Sequence, residues 1–208
     1  MARPREHDEA TRERLLQAAE AVTAAEGWDA LTVRRVAQEA GTSTRAVYTL
    51  FDSKAGLEQA LHTAFFERLR DLLKASPRSE DPRADLIELA LAYRRWAVER
   101  PQRYELAMHR FIGPFARPRS QEGLAVARGA LDELRGVVRR CQEAGVIDAG
   151  HELEAVVRQM QVTAHGLAEF ENLAVLGEDP DRFWRDTVSA LLAGLSNGKP
   201  PHLKSQTP

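Results

Sequence analysis

The chain has 208 residues, which is enough for one medium-sized domain or for a small domain joined to a larger one. Hydrophobic residues make up 43% of the sequence and charged residues 29%, a composition that excludes a disordered chain. The net charge of -2 and the single cysteine, Cys141, exclude a strongly basic protein, an intrachain disulfide framework and a cysteine-rich zinc site. We expect a cytoplasmic protein, because the sequence has neither a membrane-length apolar run nor the apolar stretch of a signal peptide.

The N-terminal part is predicted to begin with a polar arm, residues 1–9, followed by a helix over residues 10–26. Apolar residues recur along this segment at spacings of three and four, which is typical of an amphipathic helix. They are Leu15, Ala19, Val22 and Ala25. Gly27 stands where a helix C-terminal cap belongs.

Two short helices follow, joined by about three residues that include Gly41. The first should be about nine residues long with Thr32 as its N-cap, and the second should be capped by Thr42 or Ser43. This arrangement predicts a helix-turn-helix. Gly41 suits the turn because a positive φ costs a residue with a Cβ roughly 1 kcal/mol or more.

The rest of the chain is also predicted to be helical, so that the fold class is all-α with about nine helices. A helix of about 22 residues should follow Ser53, and a break with two prolines lies at 76–83. Five further helices are predicted at residues 84–100, from Pro101 to Ile112, at 121–144, at 152–176, and from Asp179 to Leu195.

The second short helix carries the side chains expected to meet DNA, because this helix of a helix-turn-helix lies in the major groove. Its outward positions are Ser43, Thr44, Arg45 and Thr49. Arg45 can bridge O6 and N7 of a guanine, and threonine can offer a hydroxyl or touch a thymine methyl. Tyr48, Lys54 and Thr32 are placed to bind phosphates.

The residues alone leave a second interpretation open, a three-helix packing unit with a polar surface. Through residue 56 the sequence has eight Lys/Arg against nine Asp/Glu, so this part of the chain is not basic. A protein-interaction module that no longer binds DNA is therefore the main rival. An enzyme is disfavoured, because the sequence has no phosphate-binding loop, nucleophile elbow, metal cluster or convincing pair of carboxylates.

Residues from about Thr11 to Leu61 resemble the DNA-binding domain of the TetR family of bacterial transcriptional regulators. The family pattern has a glycine after the first helix, Thr-Val before the second, then Ala-x-x-Ala-Gly and Tyr-x-x-Phe-x-x-Lys. The matching residues are Gly27, Thr32, Val33, Ala37, Ala40, Gly41, Tyr48, Phe51 and Lys54. The resemblance implies that Tyr48 and Lys54 contact phosphates and that Thr44, Arg45 and Thr49 contact bases. Two departures are Leu50, where the family often has an aromatic residue or histidine, and Gly56, which is expected to cost little in the first turn of a helix.

The resemblance also implies the division of the chain. Residues 1–56 would form the helix-turn-helix domain, residues 57–198 an all-helical ligand-binding and dimerisation domain, and residues 199–208 a polar tail. The C-terminal part is similar to a subtype with a Trp and a His-Gly pair, which His165 and Gly166 match, while Gln161 stands at the Trp position.

The resemblance implies two partners besides a second copy of the chain, a double-stranded DNA operator and a largely apolar small-molecule effector. No cofactor, metal ion or membrane contact is expected. The apolar pocket candidates are Tyr93, Trp96, Met108, Phe111, Met160 and Phe170. The polar candidates are His109, Gln161 and His165. Each of these residues could instead be an ordinary core residue. Cys141, beside Arg139 and Arg140, is a weaker candidate for a redox sensor.

The last two long helices are expected to assemble the protein as a homodimer through a four-helix interface. Their apolar residues exceed what a chain end should leave exposed. These residues are Ala164, Leu167, Ala168, Leu173, Ala174, Phe183, Trp184, Val188, Leu191, Leu192 and Leu195. Two copies related by a dyad would bind a palindromic operator, most often as a repressor, and an effector would release it by shifting the helix that begins at Lys54.

Overall fold

The computed structural model describes residues 5–101 and 121–196 together with Tyr104 and Met108. Eight α-helices and no strand occur in these residues, so the predicted all-α class is confirmed. The helices are α1 (Arg5–Glu26), α2 (Val33–Glu39), α3 (Thr44–Phe51), α4 (Lys54–Lys74), α5 (Pro82–Glu99), α6 (Gln121–Glu143), α7 (Leu153–Asn172) and α8 (Pro180–Ser196), with a 3-10 turn at Trp28–Ala30. The helix predicted to run to Ile112 lies mostly outside the described residues, and the tail at 199–208 lies wholly outside them.

Two expectations about the N-terminal helices were wrong in detail. The helix α1 begins at Arg5, so residues 5–9 are helical and do not belong to a loose arm. They consist largely of residues that favour helices or helix starts, and they extend the amphipathic segment without a break. The helix α2 has seven residues, because Ala40 already serves as its C-cap.

The chain forms two compact units. The first unit contains residues 1–69 and 99–128, and the second unit contains residues 70–98 and 129–208. The boundary predicted at residue 56 falls in the first turn of α4, whose residues through Leu69 belong to the first unit.

The core of the first unit comes from apolar stripes of α1 to α4. Its buried members include Leu15, Leu16, Ala19, Leu31, Val36, Val47, Phe51, Leu57 and Leu61. Complete burial of a leucine or phenylalanine stabilises a fold by about 1.5–3 kcal/mol relative to exposure. These residues therefore fix α3 by its inward side and leave its outward side for contacts with another molecule.

Local hydrogen bonds define the helix-turn-helix as the sequence predicted. The Thr32 hydroxyl accepts a hydrogen bond from the backbone N–H of Arg35 at 3.1 Å. The Ser43 hydroxyl accepts one from Ala46 at 3.2 Å, which selects Ser43 as the cap of α3. Gly41 has a φ of 62°, the conformation for which a glycine was expected.

The second unit has buried apolar residues on α5, α6, α7 and α8. They include Leu86, Leu89, Val137, Val138, Val156, Met160, Trp184, Val188 and Leu192. None of the helices in the described residues combines the length and the hydrophobicity that a membrane span needs.

Candidate nucleic-acid interface

The outward side of α3 carries the predicted base-contacting residues. Thr44, Arg45, Tyr48 and Thr49 are all exposed, and Tyr48 keeps 53% of its surface accessible to solvent. Ser43 is also exposed, but its oxygen accepts the capping hydrogen bond. The helix contains no acidic residue. An exposed helix of this composition can present hydrogen-bond donors and one cation to an anionic partner.

The turn between α3 and α4 is tight, and it fixes the C-terminal end of α3. Asp52 closes α3 with a φ of 61°, and the backbone N–H of Ser53 donates to the Phe51 carbonyl at 2.6 Å. A Cβ at Gly56 would lie 1.9 Å from the same carbonyl oxygen. This position therefore requires glycine, because the backbone of the preceding helix occupies the space of any side chain.

Lys54 lies in the first turn of α4, but its charge has a partner. Its Nζ is 3.7 Å from the Glu58 carboxylate, one helical turn further along, and the Glu58 side chain is almost fully buried. The Lys54 side chain remains 44% exposed, so its ammonium can still approach a phosphate. Thr32 is exposed as well. The roles of both residues in DNA binding remain predictions.

The arginines of α2 have contrasting surroundings. Arg35 donates to Glu26 at 2.7 Å and 2.9 Å and to Glu39 at 2.8 Å. These hydrogen bonds, first that with Glu26 and then that with Glu39, raise the pKa of the Arg35 guanidinium above its ordinary value. Arg34 is exposed, and its side chain forms no hydrogen bond or ion pair with any residue that the structure describes. The sequence alone does not distinguish Arg34 from Arg35, because two adjacent arginines look alike until their carboxylate partners are known.

The candidate effector residues divide into several groups. In the second unit, the Tyr93 hydroxyl lies 3.0 Å from Nδ1 of His165, and the Tyr93 and Trp96 rings are tilted with centroids 5.5 Å apart. Tyr93, Trp96 and His165 are half-buried, and Met160 is buried. The other candidates lie elsewhere: Met108 belongs to the first unit, Gln161 and Phe170 are exposed, and His109 and Phe111 lie outside the described residues.

An exposed apolar surface lies on α7, on α8 and on the segment between them, though several of its residues differ from those predicted. Of the six large hydrophobic side chains exposed among the described residues, Tyr48 is on α3 and the other five are Val162, Phe170, Leu173, Val175 and Phe183. The predicted interface residues Leu167, Ala168, Trp184, Val188, Leu192 and Leu195 are instead buried within the single chain. Both helices carry two apolar stripes, and spacing alone did not show which stripe covers the core.

Cys141 does not have the surroundings of a redox sensor. It is fully buried, and its Sγ donates to the Pro82 carbonyl at 3.2 Å. Burial raises the pKa of the thiol to about 11, although the Arg140 guanidinium acts in the opposite direction. A thiol of this kind is protonated near neutral pH and is neither accessible nor nucleophilic. The hypothesis of a redox sensor was wrong.

Comparisons with known proteins match the two parts of the chain separately. A family profile described as "Bacterial regulatory proteins, tetR family" matches residues 15–61, and one described as "Tetracyclin repressor-like, C-terminal domain" matches residues 86–191. An HTH-type transcriptional regulator of Mycobacterium tuberculosis is 25% identical over 186 residues, which cover 89% of this chain and 81% of the relative.

Solved structures share the fold over nearly the whole chain. A protein of unknown function from Rhodococcus sp. RHA1 has a TM-score of 0.79 at 25% identity, with 89% of this chain and 95% of that chain covered. A TetR family transcription regulator from Marinobacter aquaeolei VT8 has a TM-score of 0.70 at 20% identity, with 92% and 98% covered. The second likeness concerns the fold alone.

Proposed function

Because the chain belongs to the TetR family of bacterial regulatory proteins, it is a non-enzymatic DNA-binding transcription factor, and we propose in addition how it works. It binds a palindromic operator as a homodimer, represses transcription, and is released from DNA by a largely apolar small molecule. The subtype with the Trp and the His-Gly pair is part of the same proposal.

The observation that carries the DNA-binding proposal is the outward side of α3. Arg45 has no hydrogen-bond or ion-pair partner for its guanidinium among the described residues, and it lies next to Thr44 on a helix without acids. Val47 and Phe51 hold the opposite side of this helix in the core. A rigid helix with an uncompensated arginine suits recognition of guanine O6 and N7.

The exposed stripes of α7 and α8 support a dimer. On α7 the stripe consists of Val162, Gly166 and Phe170 and continues to the C-cap Leu173, and on α8 it consists of Phe183, Ala190 and Gly194. All seven residues are exposed in the single chain, and a Cβ at either glycine would meet no atom within 4 Å. The fold of one chain therefore does not require a glycine at these points. A close approach of a second copy would require it, and that copy would cover the apolar surface.

The Tyr93–His165 contact supports an effector site in the second unit. Tyr93 and Trp96 supply aromatic surface, and the hydroxyl and imidazole offer a donor and an acceptor that can orient a ligand. Phe170 and Gln161 are less suited to this role than to the exposed surface. For release, the effector must bind the DNA-incompetent conformation more tightly than the other, since equal affinities would shift no population. We expect the shift to involve α4, which carries Lys54 in its first turn.

The experiment that tests this function is selection of bound duplexes from a random DNA library, combined with sedimentation of the free protein. We expect a palindrome with half-sites one or more helical turns apart and a dimer in solution. Salt-independent binding, or no enrichment by a folded dimer, would contradict DNA recognition and favour the protein-interaction module.

The dimer surface is tested separately with Gly166→Gln and the control Ala84→Gln. Both positions are exposed on helices, so neither substitution should disturb the fold of the single chain. A side chain at the helix crossing should weaken dimerisation by about 10- to 100-fold, the equivalent of roughly 1–3 kcal/mol of overpacking. Equal dimer dissociation constants for both variants would place the interface elsewhere.

A further inference from the structure

The charges of residues 9–54 are paired in a way that leaves two arginines without a partner among the residues that the structure describes. Among the Arg and Lys residues from 9 to 54, whose side chains the structure describes, four have a side-chain partner. Arg12 lies 3.9 Å from Glu9, Arg14 donates to Thr11, Arg35 binds Glu26 and Glu39, and Lys54 lies near Glu58. The two arginines without a hydrogen bond or ion pair are Arg34 on α2 and Arg45 on α3.

This pairing divides the exposed side of α2 into two stripes. One stripe contains Arg35 and Glu39, four residues apart, and Glu26 reaches it from α1, so that the Arg35 guanidinium is held by two carboxylates. The other contains Arg34 and Gln38, also four residues apart, both exposed and with no acid three or four residues away from either. The near-neutral charge of residues 1–56 is therefore a poor guide to the surface, because several acids are neutralised away from Arg34.

We propose that Arg34 contacts a phosphate of the operator backbone beside the bases that α3 contacts. This inference rests on the proposed DNA-binding function and adds a residue to it. In a helix-turn-helix the first helix crosses the DNA backbone, and here that helix is α2. Arg34 lies in its first turn, two residues after Thr32, with a guanidinium that no carboxylate in the described part of the chain holds. Such a group binds a phosphate without first breaking an ion pair.

A phosphate contact and a base contact predict different results for substitutions. A phosphate contact stabilises every sequence alike and depends on charge, so lysine can replace arginine in part. A bidentate contact to guanine depends on the planar guanidinium, so lysine cannot replace arginine there. Substitution of such an arginine changes the preference at one base position. Arg34→Gln and Arg34→Lys separate the two.

The test measures binding of the full chain to its selected operator and to a random duplex over a range of salt concentrations. Arg34→Gln should weaken both complexes by a similar factor, about tenfold when both DNA-binding domains of the dimer are bound. It should also reduce the slope of log affinity against log salt concentration by about 1.8. Arg34→Lys should restore most of the affinity and the slope. The control is Arg139→Gln, which removes the same charge from an exposed arginine of α6 and should leave the slope unchanged.

Three results would overturn the inference. An Arg34→Gln variant with wild-type affinity and slope would show that no phosphate is bound there. A changed preference at one base, without rescue by lysine, would show a base contact instead. Equal losses in Arg34→Gln and Arg139→Gln would show an effect of total charge alone. If the wild-type protein selects no operator, the proposed DNA-binding function itself fails. If the wild-type protein selects an operator and the Arg34 variants bind it equally well, only the phosphate contact of Arg34 fails.

Discussion

Arg94 on α5 holds the carboxylate of Glu171 on α7 through two nitrogens. Its Nε donates to both oxygens at 2.8 and 3.0 Å, and its Nη2 donates to Oε1 at 2.7 Å. The indole N–H of Trp184 on α8 donates to the same carboxylate at 2.8 Å. The hydrogen bond with Glu171 raises the pKa of Arg94 above its ordinary value, so this arginine remains charged. The pair joins three helices directly beside Phe170 of the exposed apolar surface.

We expect Glu171→Gln to lower the free energy of unfolding by about 2–4 kcal/mol, because the mostly buried Arg94 would keep its charge and retain only the more exposed Asp181, 3.1 Å from its Nη1, as an anionic partner. The same variant should weaken dimerisation, since α7 and α8 would lose the contact that holds their exposed stripes together. Urea unfolding and sedimentation measure the two effects.

The control for this prediction is Asp186→Asn, which breaks the exposed pair between Arg182 and Asp186. Its cost should stay within about 0.5 kcal/mol. The double variant Arg94→Met with Glu171→Gln should cost less than the sum of its single substitutions, as expected for groups in direct contact. Strict additivity would contradict the role of the pair.

The helix-turn-helix could be predicted from sequence because its signals are local. Thr32, Ser43 and Gly41 each act on residues within a few positions, through a cap or a positive φ, so their spacing suffices to place α2 and α3. The helix order of the second unit followed equally from periodicity and from the break at 76–83.

Other features of the site and of the exposed apolar surface could not be predicted from the sequence, because they depend on contacts between segments distant in sequence. Arg34 and Arg35 differ only because Glu26, on another helix, lies within reach of Arg35. Gly56 is required because the Phe51 carbonyl, at the end of the preceding helix, lies where a Cβ would be, and helix propensity alone does not reveal this contact. Periodicity identified the apolar helices near the C-terminus, but not which of their stripes covers the core.

Arg45 and Lys54 should affect DNA binding in different ways. Arg45→Ala should lower the preference for one base position by about 1–3 kcal/mol, because it removes a contact to a base edge. Lys54→Ala should weaken binding to all sequences and flatten the salt dependence. Competition binding with single-base operator variants at several salt concentrations measures both.

Glu58 gives a check on the role of Lys54. Lys54→Ala leaves the buried Glu58 carboxylate without this ammonium, so we also expect a small loss of thermal stability.

Unchanged base preference in Arg45→Ala would show that the recognition surface of α3 is assigned incorrectly.

Asp85 should make stability depend on pH. Burial on its own would raise the pKa of this carboxylate, which is 3% exposed, but hydrogen bonds from Ser79 and Arg140 outweigh burial and hold the pKa below its ordinary value. The Ser79 N–H donates at 2.9 Å and Arg140 at 2.6 Å. Because the folded pKa is the lower one, the stabilisation is present above the unfolded pKa of about 3.9 and is lost as the pH falls through the folded pKa.

Asp85→Asn should therefore cost about 2–4 kcal/mol at neutral pH, and its difference from the wild-type protein should shrink below about pH 4. Denaturant unfolding at a series of pH values gives both quantities. Asp71→Asn, at an exposed carboxylate of α4, is the control and should change stability by less than about 0.5 kcal/mol. A constant difference down to acid pH would contradict the lowered pKa.

Cys141 should resist thiol reagents in the folded protein. Its pKa of about 11 means that the thiolate is scarce at pH 8, and the buried sulfur is inaccessible to the reagent. We expect alkylation to be at least about a hundredfold slower in the native protein than in urea, measured by mass spectrometry. Operator affinity should be unchanged after mild peroxide treatment, and rapid native alkylation would contradict both expectations.

At Gly56 we predict that alanine lowers the stability of the protein, the opposite of its usual effect at a helical glycine. Replacing a helical glycine by alanine normally stabilises a protein by about 0.4–1 kcal/mol. At Gly56 the added Cβ would lie 1.9 Å from the Phe51 carbonyl oxygen, so the start of α4 must move away from the end of α3. We expect Gly56→Ala to destabilise the protein by about 1–3 kcal/mol. It should also weaken operator binding, because the displaced turn connects the recognition helix to Lys54.

Gly194→Ala, at a helical glycine with no atom within 4 Å of its Cβ position, is the matched control and should be neutral or stabilising. Thermal unfolding of the two variants decides between these signs, and a stabilised Gly56→Ala protein would contradict the close approach of the two helices.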